Sequence, residues 1–428
     1  MSAVNRVVLA LGSNLGNRNA NIRRALTELR AHGAVLATSR LYDTAPEYVT
    51  EQPRFLNAAV RFTTSLAPVE LLRAVKHIES SMGRQLGGEW ADVMGPEPLL
   101  RNGPRPIDID LLFYSGPDQV EVVMDTELLS LPHPRIAERA FVLCPLADLD
   151  PSLRHPLSGL TVQQQLDALA STVAGRSQLD ELLPVTPLRQ HEGRAGEPPV
   201  FSWGVRSYIM GVVNMTPDSF SDGGTYGHGV DGENAAVLHG LAMAAAGVDV
   251  LDIGGYSTRP GFAPVSEQEE IDRVVGVVRR LRQACDADSE VAASIAAGSG
   301  VHSDVNEEAS RVALSVDTFR PSVAAAALSE GADLINDVSG GMYDDGRMYE
   351  VVADHGVPLV LMDHGKDPRS LHTPHDVPAQ STIVDAVSGA LSRMVHAAAA
   401  AGVPAWQLIV DPGLGFAKGS EQVRGPVV

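Results

Sequence analysis

Apolar positions recur along this chain in two rhythms. In the first part the pattern shifts between strand-like and helix-like runs. Arg6–Leu11 reads as a strand, and Asn21–Arg30 sets Ile22, Ala25, Leu26 and Leu29 on one helical face. Phe55–Phe62 is strand-like again. Pro68–Met82 reads as a helix opened by its proline and stopped by Gly83, with Leu71, Leu72, Val75, Ile78 and Met82 as the buried stripe. Pro106–Tyr114 (PIDIDLLFY) carries the strongest strand pattern of this part. The order predicts an α+β sheet with helices on one side.

From Phe201 onward, strand and helix alternate. Apolar runs at Tyr208–Val213, Val248–Ile253, Val312–Val316, Ala332–Ile335, Val357–Met362 and Gln407–Val410 are separated by alanine-rich helical segments. These are Asn234–Ala246, Glu269–Ala284, Ser322–Ser329, Met348–His355 and Ile383–Ala401. A polar residue closes each strand: Asn214, Asp252 (one residue early), Asp317, Asn336 with Asp337, Asp363 and Asp411. Capping of the next helix explains any one of them. Recurrence after all six favours the catalytic rim of an α/β TIM barrel over its rival, an open doubly wound sheet. Such a barrel closes with eight strands, and the chain stops at Val428 after the sixth. The sequence therefore predicts about six of eight β/α repeats, incomplete at the C-terminus through a truncated gene model or splice form.

Pro184–Pro199, rich in Pro, Gly and charge, separates the two patterns and reads as a linker. The expected division is 1–183, a linker 184–200, and 201–428. Cys285–Ser310 is acidic and poor in large apolar residues, and reads as a surface insertion over 285–310.

Composition changes this picture little. The 428 residues are 44% hydrophobic and 20% charged, enough to bury real cores. A formal net charge of -20 argues against nucleic acid or an anionic membrane as partner. Phosphate ligands remain open to a few arginines or to Mg²⁺. Two cysteines, Cys144 and Cys285, make no disulfide framework and fit a reducing compartment. No apolar run is long enough to span a membrane. A strand beginning near Val7 leaves no room for a targeting peptide, so the expectation is cytoplasmic, or organellar if the N-terminus is incomplete.

Chemistry enters with Asp108 and Asp110. Two apart in a strand, they project from one face and suit Mg²⁺ bound with phosphate oxygens; two surface acids are the plain alternative. The long Gly/Pro-rich loop Gly83–Arg105 before them carries Arg84, Trp90, Arg101 and Arg105. Cations on a closing loop suit pyrophosphate transfer. LGSNLGNR at Leu11–Arg18 looks like a phosphate loop but lacks the following Lys-Ser/Thr, so a turn is its default reading. That segment, with FLNAAV at Phe55–Val60, IESSMGR at Ile78–Arg84, GPRPIDIDLLFY at Gly103–Tyr114 and LPHPRIAERAFVLCPL at Leu131–Leu146, resembles 6-hydroxymethyl-7,8-dihydropterin pyrophosphokinase. The resemblance implies a ferredoxin-like α+β fold, with two Mg²⁺ held by Asp108 and Asp110 against ATP. Phe55 and Phe141 would sandwich the pterin. Asn57 and the backbone around Thr44 would bind its edge. Glu79, His133, Arg84, Arg105 and Arg139 would line the ATP and phosphate site, with Arg84 and Arg105 catalytic. By residue type alone, Phe55 and Phe141 could equally be core. The arginine-bearing loop is longer than the family's around Asp92–Arg101, and Leu128 stands where the family has an arginine.

In the second part, MGVVNMTPDSFSDGG at Met210–Gly224, DIGGYSTRPG at Asp252–Gly261, LSVDTFRP at Leu314–Pro321, LINDVSGG at Leu334–Gly341 and VDPGLGFAKG at Val410–Gly419 resemble dihydropteroate synthase. This implies condensation of a pterin methyl diphosphate with p-aminobenzoate. Asp317 and Asp411 would serve the pterin as the catalytic pair, and Asn336 would bind its ring. Asn214 would meet one Mg²⁺ and the diphosphate. Thr258 and Arg259 would lie near diphosphate and p-aminobenzoate, Phe416 would pack on p-aminobenzoate, and Lys418 would belong to the same motif. Asp218 and Ser219 fall on a lid loop. Tyr256 stands where the family carries Glu, and Leu361–Pro368 lacks the usual His-Met pair. The family's serine-arginine-lysine and Arg-x-His segments have no counterpart. Together the halves suggest a bifunctional folate-pathway enzyme using ATP, hydroxymethyldihydropterin and p-aminobenzoate, and they allow a homodimer through the barrel. The alternative is an active pyrophosphokinase fused to a non-catalytic barrel remnant.

Overall fold

The alternating N-terminal run becomes strand β1 (Asn5–Ser13), and the helical stripe after it becomes α1 (Arg18–Leu29), whose first turn is capped by Asn17 accepting from Ala20 N at 2.9 Å. These elements belong to a computed structural model that describes residues 4–84, 103–191, 199–215, 230–256, 264–285, 312–364, 382–414 and 416. Its chain divides into two units. The first takes in Met1–Pro187, Val200–Val205 and Pro404–Trp406; the second takes in Leu188–Pro199, Arg206–Val403 and Gln407–Val428.

The first unit continues with β2 (Ala34–Thr38), β3 (Leu41–Thr44), β4 (Phe55–Thr64), α2 (Pro68–Ser81) and β5 (Asp108–Ser115). A short ribbon of β6 (Met124–Asp125) and β7 (Ser130–Leu131) follows, then α3 (Ala140–Leu149), α4 (Val162–Ser171), α5 (Val173–Asp180), β8 (Leu183–Pro187) and β9 (Val200–Ser202). The main sheet runs β5-β1-β4-β3-β8-β9, with β2 beside β4. One face buries Val7, Leu9 and Leu11 of β1 with Ile22, Leu26, Leu71 and Val75 of α1 and α2. The expected one-sided arrangement is corrected on the other face. There α3 packs Val142, Leu143 and Leu146 on Ala59, Leu112 and Phe113. Its sequence hid this, because α3 is apolar on most sides and carries Pro145 within the helix. The two ends of the expected linker are strands instead. Val185 pairs with Leu41 of β3, and Thr186 with Phe201 of β9, both antiparallel. Two prolines in a five-residue strand masked the β pattern.

The second unit holds β10 (Met210–Asn214), α6 (Val230–Ala245), β11 (Val250–Gly254), α7 (Glu267–Cys285), β12 (Ala313–Asp317), β13 (Leu334–Asp337), β14 (Leu359–Met362) and β15 (Leu408–Asp411). Helices Pro321–Ser329, Arg347–His355 and Ile383–Ala400 fall between the later strands. All pairs are parallel, and each strand lies beside its neighbour in sequence. A doubly wound sheet reverses its order at a switch point, so this strictly sequential order sets that rival aside. Leu251, Ile253, Leu314, Val316, Ile335 and Leu361 face Val237, Val277, Val278 and Leu281 of α6 and α7. By strand alternation, Asp252, Gly254, Ser315 and Asp317 occupy the opposite face. The outermost strands are the exposed ones: Val212 of β10 and Val410 of β15 are 54% and 50% accessible. Among the described residues, no strand pairs with their outer edges.

Candidate active sites

In the first unit, β5 delivers Asp108 and Asp110 to one side of the sheet, opposite Gly12 and Ala10 of β1. They open into a cleft that also gathers Thr44, Phe55, Asn57, Arg105 and Phe141. Asn57 donates to Thr44 Oγ1 at 2.7 Å. The Thr44 side chain therefore fixes the amide expected to read a pterin edge. The Arg105 guanidinium lies 5.2 Å from the Phe55 ring centre, and that of Arg139 lies 5.5 Å from Phe141. Flat aromatic walls with cations over them suit a flat, electron-poor ring joined to phosphates.

The charges are unevenly compensated. Burial alone would raise the Asp108 carboxyl. Arg84, which pairs with it directly, and Arg105, at 2.9 Å, outweigh burial and hold it well below the usual range. Asp110 is raised, first by burial and then by the Asp108 charge, with His133 opposing. Two carboxylates on one face, one of them short of positive partners, are hard oxygen donors that fit Mg²⁺. His133 is lowered by burial, against the pull of Asp110. Its Nδ1 accepts from Arg135 N at 3.2 Å.

Glu79, expected in the ATP and phosphate site, is fully buried in this structure and is not among the residues lining the cleft. Its carboxylate accepts from Ile109 N at 2.7 Å, Lys76 Nζ at 2.8 Å and Arg84 at 2.6 Å. It thus braces Arg84 from below. Burial raises its pKa, with Lys76 and then Arg84 opposing. Lys76, three residues before Glu79 on α2, was missed; the i,i+3 spacing was the available signal. Arg139 also meets Tyr48, with its Nε 3.3 Å from the hydroxyl. Trp90 and Arg101 lie outside the described residues.

In the second unit, register does the assembly. Asn214 pairs with Gly254, Gly254 with Asp317, and Asp317 with Asn336, a single row across β10 to β13. A Cβ on Gly254 would lie 3.3 Å from Asn214 Oδ1 and 3.6 Å from Asp317 Oδ2. Glycine therefore lets these two side chains converge. One step below, Asp252 pairs with Ser315, and Asn336 Nδ2 donates to Asp252 Oδ2 at 2.9 Å. Asp252 is thus no stray early residue but the support of Asn336. Burial raises both Asp252 and Asp317, and the Asp252 charge pushes Asp317 further, well above the ordinary value. Such a carboxyl gains most from a cationic ligand.

Asp411 pairs with Met362 beyond that row, and its Oδ1 accepts from Gly413 N at 2.7 Å, bracing the turn after β15. Phe416 packs with Phe319 against Val338 and Met362, an apolar patch at the strand ends. Two further residues were not anticipated. Buried Glu270 accepts from Thr318 Oγ1 at 2.6 Å and Arg320 Nη1 at 2.7 Å. Arg320 also lies 5.1 Å from the centre of Tyr256, the residue that replaces the family's Glu. Thr258, Arg259 and Lys418 fall outside the described residues, as do Asp218, Ser219 and 286–310 of the expected insertion.

Comparison with known proteins finds two families along the chain. The family described as 7,8-dihydro-6-hydroxymethylpterin-pyrophosphokinase matches residues 8–151, and the pterin binding enzyme family matches 210–295 and 300–424. Folate synthesis bifunctional proteins of Arabidopsis thaliana and, in mitochondria, of Pisum sativum are each 37% identical to the chain. They match 96% and 97% of it, over 77% and 72% of their own lengths. The solved Plasmodium falciparum HPPK-DHPS superposes with a TM-score of 0.67 at 18% identity, over 98% of this chain and 83% of that one, a likeness of fold.

Proposed function

The chain belongs to the folate synthesis bifunctional proteins, and from that membership we infer how its two sites divide the chemistry. Its function is folate biosynthesis through two transferase activities, 6-hydroxymethyl-7,8-dihydropterin pyrophosphokinase and dihydropteroate synthase. In the first, the pterin hydroxyl oxygen bonds to the β-phosphorus of ATP. The bond from that phosphorus to the α–β bridging oxygen breaks, AMP leaves, and the hydroxyl proton is lost. In the second, the p-aminobenzoate nitrogen bonds to the pterin methylene carbon as its bond to diphosphate breaks, and the amine gives up a proton.

The cleft of the first unit carries the reading. It sets the Thr44–Asn57 pair and two aromatic walls beside Asp108 and Asp110. Phe55 and Phe141 hold the pterin plane, and Asn57 reads its edge. Mg²⁺, two ions here, would be held by Asp108 and Asp110 and supplies charge neutralisation on the phosphates. Arg84 and Arg105 supply further positive charge where it develops. Arg139 and His133 border the ATP site.

In the second unit, Asp317 and Asp411 stabilise positive character on the pterin carbon, and Asn336 orients the ring. Asn214 faces the diphosphate and one Mg²⁺; Thr258, Arg259, Phe416 and Lys418 complete the p-aminobenzoate side. The sequential parallel order supports reading this sheet as an arc of a TIM barrel. A homodimer through this unit and a cytoplasmic setting belong to the same proposal.

The test uses the purified chain. ATP, Mg²⁺ and hydroxymethyldihydropterin should yield AMP, and added p-aminobenzoate should yield dihydropteroate and diphosphate. Absence of AMP would overturn the kinase assignment, and AMP without dihydropteroate would confine activity to the first unit.

A further inference from the structure

The motif LGSNLGNR resembles a phosphate loop and has so far been given no task. Its asparagine Asn14 is 2% exposed and bonds residues far away in sequence. Asn14 Oδ1 accepts from Arg105 N at 2.7 Å, while Asn14 N donates to Arg105 O at 3.1 Å. Its Nδ2 donates to Gln52 Oε1 at 3.0 Å and to Pro53 O at 3.1 Å. Every polar hydrogen of that carboxamide is used. The first pair of bonds grips Arg105 at both its backbone donor and its backbone acceptor. The second pair anchors the same amide to the segment leading into Phe55.

Arg105 needs such a grip. Arginine has many rotamers, and a cation that stabilises a transferring phosphate works only if fixed before reaction. Here the Arg105 guanidinium reaches Asp108 at 2.9 Å and stacks on Phe55. Its Nε is buried and has no hydrogen-bond partner among the described residues, so the guanidinium's hold comes from Asp108 and Phe55. We propose that Asn14 is a positioning residue for pyrophosphoryl transfer, locking the Arg105 backbone to the pterin wall so that this arginine meets the phosphates preorganised. LGSNLGNR is then an internal brace rather than a phosphate loop. Arg18 of the same motif is an internal brace as well, bonding Asp43 at 2.8 Å and the carbonyl oxygen of Arg54, the residue before Phe55, at 2.9 Å.

The inference rests on the pyrophosphokinase reading of the first unit, and a double-mutant cycle separates the two. AMP formation is measured in the full chain for Asn14→Ala, Arg105→Ala and the double variant, with ATP, Mg²⁺ and hydroxymethyldihydropterin. Asn14→Ala should lower kcat about 10-fold or more, with the pterin KM changed by no more than about 3-fold. In the Arg105→Ala background the same change should cost almost nothing further. Asn14→Asp keeps the acceptor for Arg105 N, loses the donations to Gln52 and Pro53, and should fall between; it carries the same cycle if the alanine variant does not fold. Equal losses in both backgrounds would overturn the proposal while leaving the arginine's role intact. Full activity of Arg105→Ala alone would overturn both.

Discussion

A Cβ on Gly12 would stand 2.9 Å from Asn57 Oδ1, closer than real side chains approach. Gly12→Ala should therefore displace the pterin-reading amide and raise the pterin KM about 10-fold, with kcat less affected, in steady-state AMP assays. Among the described residues, Asp110 has no direct arginine partner such as Asp108 has in Arg84. Asp110→Ala should remove a metal donor and lower kcat by about 100-fold or more while pterin binding, followed by fluorescence, persists. Glu79 acts on a different quantity. Glu79→Ala leaves Lys76 and Arg84 without their buried acceptor, and should destabilise the first unit by about 3–5 kcal/mol in denaturant unfolding. Spacing along the sequence paired Asp108 with Asp110. Nothing in it distinguished Glu79 as a buried support from Arg105 as a cleft residue, because burial depends on how α2 lies under β5.

Elements show the same division between local and long-range information. Helix α2 was legible because its apolar residues recur at i, i+3, i+4 and i+7 over fourteen residues. Strand β8 was not, since five residues with two prolines read as linker until β3 and β9 flank them. The turn after β13 adds a pH dependence. Burial raises Asp337 to about 6, although Ser339 N and Gly341 N donate to it at 2.7 and 2.9 Å. The folded state thus holds this proton more tightly than the unfolded chain, whose carboxyl titrates near 3.8. Its contribution is greatest below that value and is lost as pH rises to about 6, a fall of about 3 kcal/mol. Unfolding free energies of the second unit at pH 4 and 6.5 should include this fall, and Asp337→Asn should make the decline smaller, while Asp252, Asp317 and Glu270, also raised by burial, keep a slope of their own. A slope unchanged in the variant would assign the titration elsewhere.

At the scale of the whole molecule, two sites on separate units imply separable activities. An Asp110→Ala chain supplied with hydroxymethyldihydropterin diphosphate should still form dihydropteroate, and an Asp317→Ala chain should still form AMP. Mixed in solution, the two variants should make dihydropteroate from ATP, hydroxymethyldihydropterin and p-aminobenzoate, because the diphosphate can diffuse between them. No product from the mixture would mean that the intermediate does not leave the chain that made it. The sequence by itself determined the two-part organisation, the alternation of strand and helix after Phe201, and the carboxylates that end or line the strands. Those features follow from local periodicity and from residue chemistry, which a linear chain displays. Only the tertiary structure decided that Asn214, Asp317 and Asn336 share one row, that Asp252 supports Asn336, that α3 covers the second face of the first sheet, and that Asn14 grips Arg105. Each depends on register or packing between residues far apart in sequence, and such contacts exist only once the backbone has folded.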